Sequence, residues 1–483
     1  MTNAKADFVH LHVHTTYSLL DSTLRLNDLF NKAKEYQMLA IAMTDHGNLF
    51  GAIEFYQHAE KAGIKPIIGC ELYVAPKSRF DKSSSSIEES SHHLVVLVKN
   101  MQGYKNLLKL TTAGYLEGFY YHPRVDKELL QDHHEGLIAT SACLHGEVAS
   151  YLMKGDRNAA IKAAREYQEI FGAGNFYLEI MENGLPEQRV VNEGIMDISR
   201  LLSIPVVATN DCHYLQADDE EAHDALLCIQ TGKTLDDTER MHFDTDQFYF
   251  RSPEEMKSLF SYCPEAISNT VLIADKCNLS LELDCSRPPR GNLEYGANDG
   301  LKMPAITTDF SPEGRDYIFR YVTEKYGTDR VAKIITFRKM RAKSAIRYVG
   351  RAMSLPHADV DAIAKMVPDV LNLSLEDALN MEDRLKEAAR KSEKIQKLLS
   401  LSWALQGLII HSSTHAMNIV ISDKPLVDMV PLCKSTEDDL VTQYSVNDLK
   451  NMGFSIFKFP HIARQMISYG NLHVCPLEKT EDS

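Results

Sequence analysis

Two pairs of residues in the first half of the chain have the types and the spacing of metal ligands. His12 and His14 are separated by one residue within a short apolar run. Successive side chains of a strand point to opposite faces, so we expect both imidazoles on the same side. Asp211 and His213 repeat this spacing much later, again beside an apolar run. Both pairs therefore predict a site at the end of a strand.

Five further candidates stand singly. Asp21 lies in the loop after the first expected strand, His46 follows the second, Glu71 lies within the third, His93 opens the fourth and Cys143 comes just after the fifth. Imidazole, carboxylate and thiolate groups are ligands for zinc, manganese or iron. A catalytic zinc usually has three protein ligands, so nine candidates predict two or three divalent ions. Such ions polarise a phosphoryl oxygen, lower the pKa of water and stabilise a leaving oxygen, which is the chemistry of phosphate-ester hydrolysis. The residues expected to be catalytic are His12, His14, Asp211 and His213.

Each candidate alone has a simpler explanation. The chain has 19 histidines, and His10, His58, His92 and His122 have no special spacing. A single cysteine such as Cys143 is more often a small buried apolar residue. The joint pattern predicts a metal site, although a closed metal cluster can also serve only to stabilise a fold.

The elements that would position these residues alternate between strands and helices. Helical patterns separate most of the strands, so the sequence predicts an α/β fold whose parallel sheet closes into a barrel. In such barrels functional groups gather at the carboxyl ends of the strands. The expected strands are 8–14, 39–44, 66–75, 93–98, 136–141, 176–181 and 205–210, and the helices between them include 25–36, 52–62, 104–115, 159–170 and 187–202.

The second half is expected to be a smaller, mainly helical α+β region. Residues 220–283 and 312–405 have mostly helical patterns, and 419–432 and 440–445 are expected to form short strands. A segment rich in proline and glycine separates the two halves. The predicted boundaries are 1–285 for the first domain, 286–302 for a linker, 303–470 for the second region and 471–483 for a tail.

Composition limits the classes of function. The formal net charge of −15 is unlike that of a general nucleic-acid binder, which needs Lys and Arg for phosphate contacts, but a local basic patch is still compatible with DNA. One stretch supplies such a patch, although a charge run is usually only a solvated helix face. Its six cations are Lys333, Arg338, Lys339, Arg341, Lys343 and Arg347.

The sequence also predicts the cellular compartment of the protein. No apolar run is long enough to span a membrane, and the N-terminus lacks the pattern of a signal peptide. The nine cysteines are scattered without a C-x-x-C pair, which favours a reducing compartment. We therefore expect a cytoplasmic protein without a membrane partner.

The motifs that carry these ligands resemble the PHP (polymerase and histidinol phosphatase) domain, and most closely the version in bacterial DNA polymerase III alpha subunits. The resemblance rests on segments 10–22, 42–56, 63–76, 118–130, 141–148 and 206–215, and it continues at 250–256. It implies that all nine metal positions of the family are present here. Some members are metal-dependent 3′–5′ exonucleases, whereas others have lost the ligands and keep a structural domain. The intact set favours the exonuclease group.

The second half resembles the polymerase palm and thumb of the same family at 322–353, 413–432 and 441–454, but with changes at the catalytic positions. The two aspartates of the palm motif correspond to Ala305 and Thr307, and an ungapped comparison places Lys458 at the third. Two-metal polymerisation needs carboxylates at these positions. We also expect the nucleotide-binding loop and the later fingers modules of the family to be absent. We therefore expect polymerase activity to be lost.

Three functions remain open at this point. The first is a phosphoesterase, acting on 3′ ends or primer–template DNA or on a small phosphate ester. The second is a DNA polymerase, as the family resemblance alone would suggest. The third is a metal-stabilised scaffold that binds DNA or replisome proteins.

Overall fold

A computed structural model describes residues 6–87, 89–283, 312–370 and 372–458 of the chain. Ala305 and Thr307 lie outside these residues, as do the predicted linker 286–302 and the tail 471–483. The predicted domain boundaries therefore stay predictions.

The first half consists of alternating strands and helices, as expected. Its strands are β1 (Ala40–Met43), β2 (Lys65–Val74), β3 (His92–Val98), β4 (Arg124–Val125), β5 (Leu137–Thr140), β6 (Phe176–Met181) and β7 (Val206–Thr209). Its helices are α1 (Leu26–Glu35), α2 (Ala52–Ala62), α3 (Met101–Leu116), α4 (Lys127–Asp132), α5 (Glu147–Met153), α6 (Arg157–Phe171), α7 (Pro186–Leu202), α8 (Glu220–Thr231), α9 (Pro253–Leu259) and α10 (Pro264–Lys276).

The sheet of the first half has the order β1-β2-β3-β5-β6-β7, with β4 beside β2. The prediction of an all-parallel sheet was wrong at β3, which is antiparallel to both β2 and β5. A parallel neighbour needs a crossover connection, usually a helix. Where the structure describes them, residues 75–91 form no helix, so the chain turns back beside β2.

Residues 8–14 close the sheet without forming a regular strand. On one side, the Ala42 and Thr44 amides donate to the His10 and Val13 carbonyls, each at 2.9 Å. On the other side, the His14 amide donates to the carbonyl of Cys212, just after β7, at 2.9 Å. The predicted strand is therefore an extended segment that links both edges. The predicted α/β class and distorted barrel are confirmed.

The second half contains a five-stranded sheet of order β10-β11-β8-β9-β12. Its strands are β8 (Val331–Lys339), β9 (Ile409–Ile421), β10 (Leu432–Lys434), β11 (Leu440–Ser445) and β12 (Ile456–Lys458). Its helices are α11 (Pro312–Tyr326), α12 (Ala342–Ala352), α13 (His357–Met366), α14 (Leu375–Met381), α15 (Asp383–Lys391), α16 (Glu393–Leu405) and α17 (Val446–Asn451).

The α+β character of this half is confirmed, but its strands differ from the prediction. The expected strand 419–432 is replaced by β9 at 409–421 and the short β10, and β8 and β12 were not expected as strands. Residues 331–339 were expected within a mainly helical span, whereas they form β8 in the middle of the sheet. Val331, Ile334 and Ile335 are buried there because β8 pairs with β9 on one side and β11 on the other. Pairing with two neighbours outweighs the weak local preference of this charged segment.

The two halves pack together through buried contacts. One continuous apolar core includes side chains from the barrel and from the second sheet. The hydroxyls of Tyr104 on α3 and Tyr444 on β11 lie 2.6 Å apart, and the Leu49 amide donates to Gln443 at 2.9 Å. The barrel is therefore supported on one side by the second half. Among the described helices, none is both long and apolar enough to cross a membrane.

Candidate metal centre

Glu71 lies at the middle of the candidate site. Glu71 is only 1% exposed to solvent, and its carboxylate faces four imidazoles. Oε1 lies 3.3 Å from Nε2 of His12 and 3.1 Å from Nδ1 of His93. Oε2 lies 2.7 Å from Nδ1 of His46 and 3.5 Å from Nε2 of His14. One carboxylate on β2 thus contacts ligands from three other segments of the chain.

Asp211 connects the first histidine pair to the last strand. Its Oδ1 lies 3.1 Å from Nε2 of both His12 and His14, whose Nε2 atoms are 3.2 Å apart. Asp211 has a φ of 48°, a left-handed conformation that is uncommon outside glycine. Asp211 lies two residues after the end of β7, and its carboxylate faces His12 and His14.

Asp21 contacts the imidazoles of His46 and His213. Its Oδ2 lies 2.8 Å from Nε2 of His46 and 3.3 Å from Nε2 of His213. The rings of His46 and His213 both pack against the His14 ring, with centroids 4.0 and 4.4 Å away.

Cys143 completes the set at the more open end of the cluster. Its Sγ lies 3.6 Å from Nδ1 of His93 and 3.8 Å from Oε1 of Glu71. Burial and the nearby Glu71 carboxylate raise the pKa of this thiol well above its usual range. The structure therefore brings all nine predicted ligands into one continuous cluster.

Hydrogen bonds to neighbouring groups fix which ring nitrogen of His12, His14 and His213 carries the proton. The other ring nitrogen faces the middle of the cluster, where it can bind a metal ion. The Ser18 hydroxyl donates to Asp45 at 2.7 Å, so it accepts from Nδ1 of His14 at 3.0 Å. Likewise, Nδ1 of His12 donates to Glu179 at 2.7 Å, and Nδ1 of His213 donates to the Asp211 carbonyl at 2.8 Å. Hydrogen bonds of this kind fix the ring orientation of metal-ligating histidines.

Three buried polar atoms support the fit of this donor set to metal ions. Nδ1 of His46, Oε2 of Glu71 and Oδ1 of Asp211 are buried and make no hydrogen bond of good geometry, even though the first two atoms lie 2.7 Å apart. Buried polar atoms without partners are costly, and coordination of an ion removes that cost. Donor atoms of His14, His46 and His213 lie within 4.8 Å of one another, as do those of His12, His14 and Glu71. The donor set therefore fits divalent metal ions, and their number stays a prediction.

Protonation of the cluster reflects its crowded charges. Burial alone would lower the pKa of His12, but the carboxylates of Asp211, Glu179 and Glu71 raise it well above its usual value. Burial and the cationic forms of His46 and His213 lower the pKa of His14 to about 3. Bound ions and protons therefore compete for the same donor atoms, as at other metal sites.

Sequence reasoning missed Glu179, which holds His12 in place. This fully buried carboxylate on β6 accepts hydrogen bonds from His12, Thr140 and Thr209. A signal was present in the sequence, because Glu179 is the one charged residue in the apolar strand 176–181. His145 and His223 were also missed. The first lies beside Cys143, and the second contacts the Asp21 carbonyl at 2.9 Å.

The six candidate DNA-contacting cations fall into two groups. Lys333 contacts Asp439 and Glu437, Lys343 contacts Asp369, and Arg347 contacts Asp361. Arg338, Lys339 and Arg341 have exposed side chains at the end of β8 and the start of α12. The stretch is therefore not a single helix face.

Lys458 lies on the edge strand of the second sheet. It is the last residue of β12, opposite Asn418 on β9. The other two positions of interest, Ala305 and Thr307, lie outside the described residues.

Comparison with protein families agrees with both halves of this architecture. Residues 10–183 match the PHP domain, and residues 296–459 match the bacterial DNA polymerase III alpha NTPase domain. The chain is thus a PHP-domain protein of α/β fold. It is homologous to bacterial DNA polymerase III alpha subunits along 93% of its length.

Curated relatives share this two-part arrangement. The chain is 36% identical to DNA polymerase III subunit alpha of Borreliella burgdorferi, over 93% of this chain and 48% of that protein. The corresponding values are 35%, 93% and 47% for Treponema pallidum, and 31%, 93% and 50% for Thermus aquaticus. The chain therefore spans about half the length of these relatives. The Borreliella alignment covers 549 positions, more than the whole chain, so that relative carries internal residues absent here.

Among solved structures, the chain aligns with a two-domain protein from Bacteroides vulgatus described as containing a predicted PHP-like metal-dependent phosphoesterase. The TM-score is 0.26 at 13% identity, over 55% of this chain and 65% of that one. A similarity this low carries no argument about function.

Exchange of Glu179 for glutamine tests how far metal affinity depends on the orientation of His12. We expect Glu179→Gln to weaken zinc or manganese binding by about 10- to 100-fold, because the partner of a ligating histidine loses its charge. Competition with a chromophoric chelator measures the dissociation constants. Glu193→Gln, on an exposed helix face, is the matched control and should keep the wild-type affinity. Equal affinities for the Glu179 variant and the wild type would contradict this role.

Proposed function

We propose that the chain is a metal-dependent phosphoesterase that removes nucleotides from 3′ ends of DNA. The observation that carries this proposal is the complete cluster of nine ligand residues centred on Glu71, with histidine tautomers that direct ligand atoms inward. DNA is the proposed substrate because the relatives are named as DNA polymerase subunits. Replisome proteins are proposed as further partners on the same ground.

Different parts of the cluster would have different tasks. His12, His14, Glu71 and Asp211 would hold the innermost ion. His46, His213 and Asp21 would hold a second, and His93 and Cys143 would extend the site outward. Ions held there would polarise a phosphoryl oxygen and lower the pKa of a water molecule.

The protein itself supplies orientation and access. Glu179 and Ser18 fix the rings of His12 and His14, and burial shields both from water. His46, His93 and Cys143 are only partly buried, so the cluster opens to solvent on their side. We place the scissile phosphate at this opening. An open side favours a catalytic centre over a purely structural one, which is usually closed.

We also propose that the second half no longer polymerises nucleotides. Magnesium is bound in proteins by oxygen ligands, mainly carboxylates. The ammonium of Lys458 repels such an ion, and the alanine and threonine at 305 and 307 supply no carboxylate. In this proposal the second half acts as support and as a DNA-contacting surface.

A nuclease assay tests the proposed activity. Protein freed of metal with a chelator and reloaded with manganese, zinc or iron should shorten a 5′-labelled single strand in steps of one nucleotide. We expect His12→Ala and Asp211→Ala to lower the rate by at least about 100-fold, because the loss of Lewis-acid stabilisation costs several kcal/mol. The control is His134→Ala, whose ring contacts a backbone carbonyl at the surface and which should keep full activity.

Other outcomes separate the alternatives. Hydrolysis of a small phosphomonoester without action on DNA would overturn the proposed substrate. Absence of any hydrolysis by protein shown to hold its ions would favour the scaffold. Incorporation of nucleotides on a primed template, by protein freed of contaminants, would contradict the loss of polymerase activity.

The two groups of cations allow a matched test of DNA binding. Each phosphate contact with single-stranded DNA contributes about 0.7 to the slope of log affinity against log salt. The combined change Arg338→Ala, Lys339→Ala and Arg341→Ala should therefore weaken binding and reduce the slope by about 2. Fluorescence anisotropy at several salt concentrations measures both quantities.

The comparison variant removes cations that already contact carboxylates. Lys343→Ala combined with Arg347→Ala should leave the slope almost unchanged, because Asp369 and Asp361 offset these charges. Equal losses of DNA affinity and salt slope in both variants would contradict the expectation that cations paired with carboxylates contribute less to DNA binding.

A further inference from the structure

A tight turn after β5 holds Cys143 and His145 in fixed positions beside His93. The Gly146 amide donates to the Cys143 carbonyl at 2.9 Å, and the His93 amide donates to the His145 carbonyl at 3.0 Å. A Cβ atom at Gly146 would lie only 2.0 Å from the Ser141 carbonyl oxygen. The backbone of this turn is therefore tied to β3 and to the end of β5.

This turn places a third donor next to two of the predicted ligands. Nδ1 of His145 lies 3.9 Å from Sγ of Cys143, and Nδ1 of His93 lies 3.6 Å from the same atom. All three donor atoms lie within 4.8 Å of one another. In a tetrahedral zinc site, with bonds of about 2.0–2.3 Å, ligand atoms are separated by roughly 3.3–3.8 Å. The two distances from Sγ lie within or just beyond this range, and the third separation is at most 4.8 Å.

We propose that His93, Cys143 and His145 form a zinc position at the open end of the cluster, with His145 as a ligand beyond the nine predicted ones. This inference rests on the proposed metal centre and deepens it. Two imidazoles and a thiolate are a donor set that selects zinc over manganese or magnesium, which prefer oxygen ligands. Oε1 of Glu71, 3.1 Å from Nδ1 of His93, connects this outer position to the rest of the cluster.

His145 differs from the other ligands in its exposure. Its side chain is exposed, whereas His12 and His14 are completely buried. An exposed ligand on a fixed turn leaves the outer zinc accessible from solvent, on the side where we place the phosphate. The outer ion would thus be the first to meet a substrate and the easiest to remove with a chelator.

Zinc and cobalt titrations of the metal-free full chain test this assignment. We expect His145→Ala to weaken binding of the most weakly held zinc ion by at least about 10-fold. At other sites, the loss of a residue that only hydrogen-bonds to a metal ligand already weakens binding by this factor. His145→Cys, which supplies another zinc donor, should restore most of the affinity. His134→Ala is the matched control for the loss of an exposed histidine, and it should bind zinc like the wild type.

Cobalt provides a readout that does not depend on nuclease activity. Cobalt bound to Cys143 should give a thiolate charge-transfer band that Cys143→Ser removes. His145→Ala should weaken the visible absorption of the same ion, because one protein ligand is lost. Circular dichroism confirms that each variant is folded.

The outcomes for zinc and for DNA can be told apart. Unchanged zinc affinity and an unchanged cobalt spectrum in His145→Ala would overturn the outer position even if the chain digests DNA. A dependence on Cys143 and His145 would support it even if no nuclease activity is found.

Discussion

The burial of one carboxylate among four imidazoles is the constraint on which the rest of the structure depends. Glu71 is almost inaccessible to solvent, and Nδ1 or Nε2 atoms of His12, His14, His46 and His93 lie within 3.5 Å of its oxygens. A buried charge is tolerated only where opposite charges or ions compensate for it. Burial works against ionisation of Glu71, but the neighbouring histidines hold its pKa well below the usual range. Divalent ions bound to the same donors would provide that compensation in place of protonated histidines.

The fold supplies the rigidity that such a cluster needs. The ligands come from the closing segment 8–14 and the loop after it, from the end of β1, from β2 and β3, and from the loops after β5 and β7. Small shifts between these segments would separate donors that are now 3–4 Å apart. The second half packs on the barrel through a shared apolar core, so it stabilises the same arrangement. We propose that this support is one of the roles of the second half.

Much of the site could be predicted because its ligands follow simple local rules. The spacing of His12 and His14, and of Asp211 and His213, places each pair beside a strand end without knowledge of the fold. Glu179 was missed although its charge within an apolar strand was visible. His145 had no signal of its own, because its role depends on a turn that brings it back to His93.

The errors in the fold have related causes. The direction of β3 depends on the connection 75–91, and a buried apolar strand looks the same in either direction. β8 was missed because it carries three cations in nine residues. Its place in the middle of the sheet depends on pairing with β9 and β11, which are distant in sequence. The partners of Lys333, Lys343 and Arg347 lie on other elements or loops, so pairing could not be seen along the sequence.

The most direct test of the account is to locate the ions themselves. Crystals of the full chain grown with zinc or manganese would be measured by anomalous diffraction at the absorption edge of the metal. The account predicts two or three anomalous peaks within about 2.0–2.3 Å of ligand atoms around Glu71. Crystals with excess metal that show no peak near Glu71, while its ligands keep the arrangement described above, would contradict it.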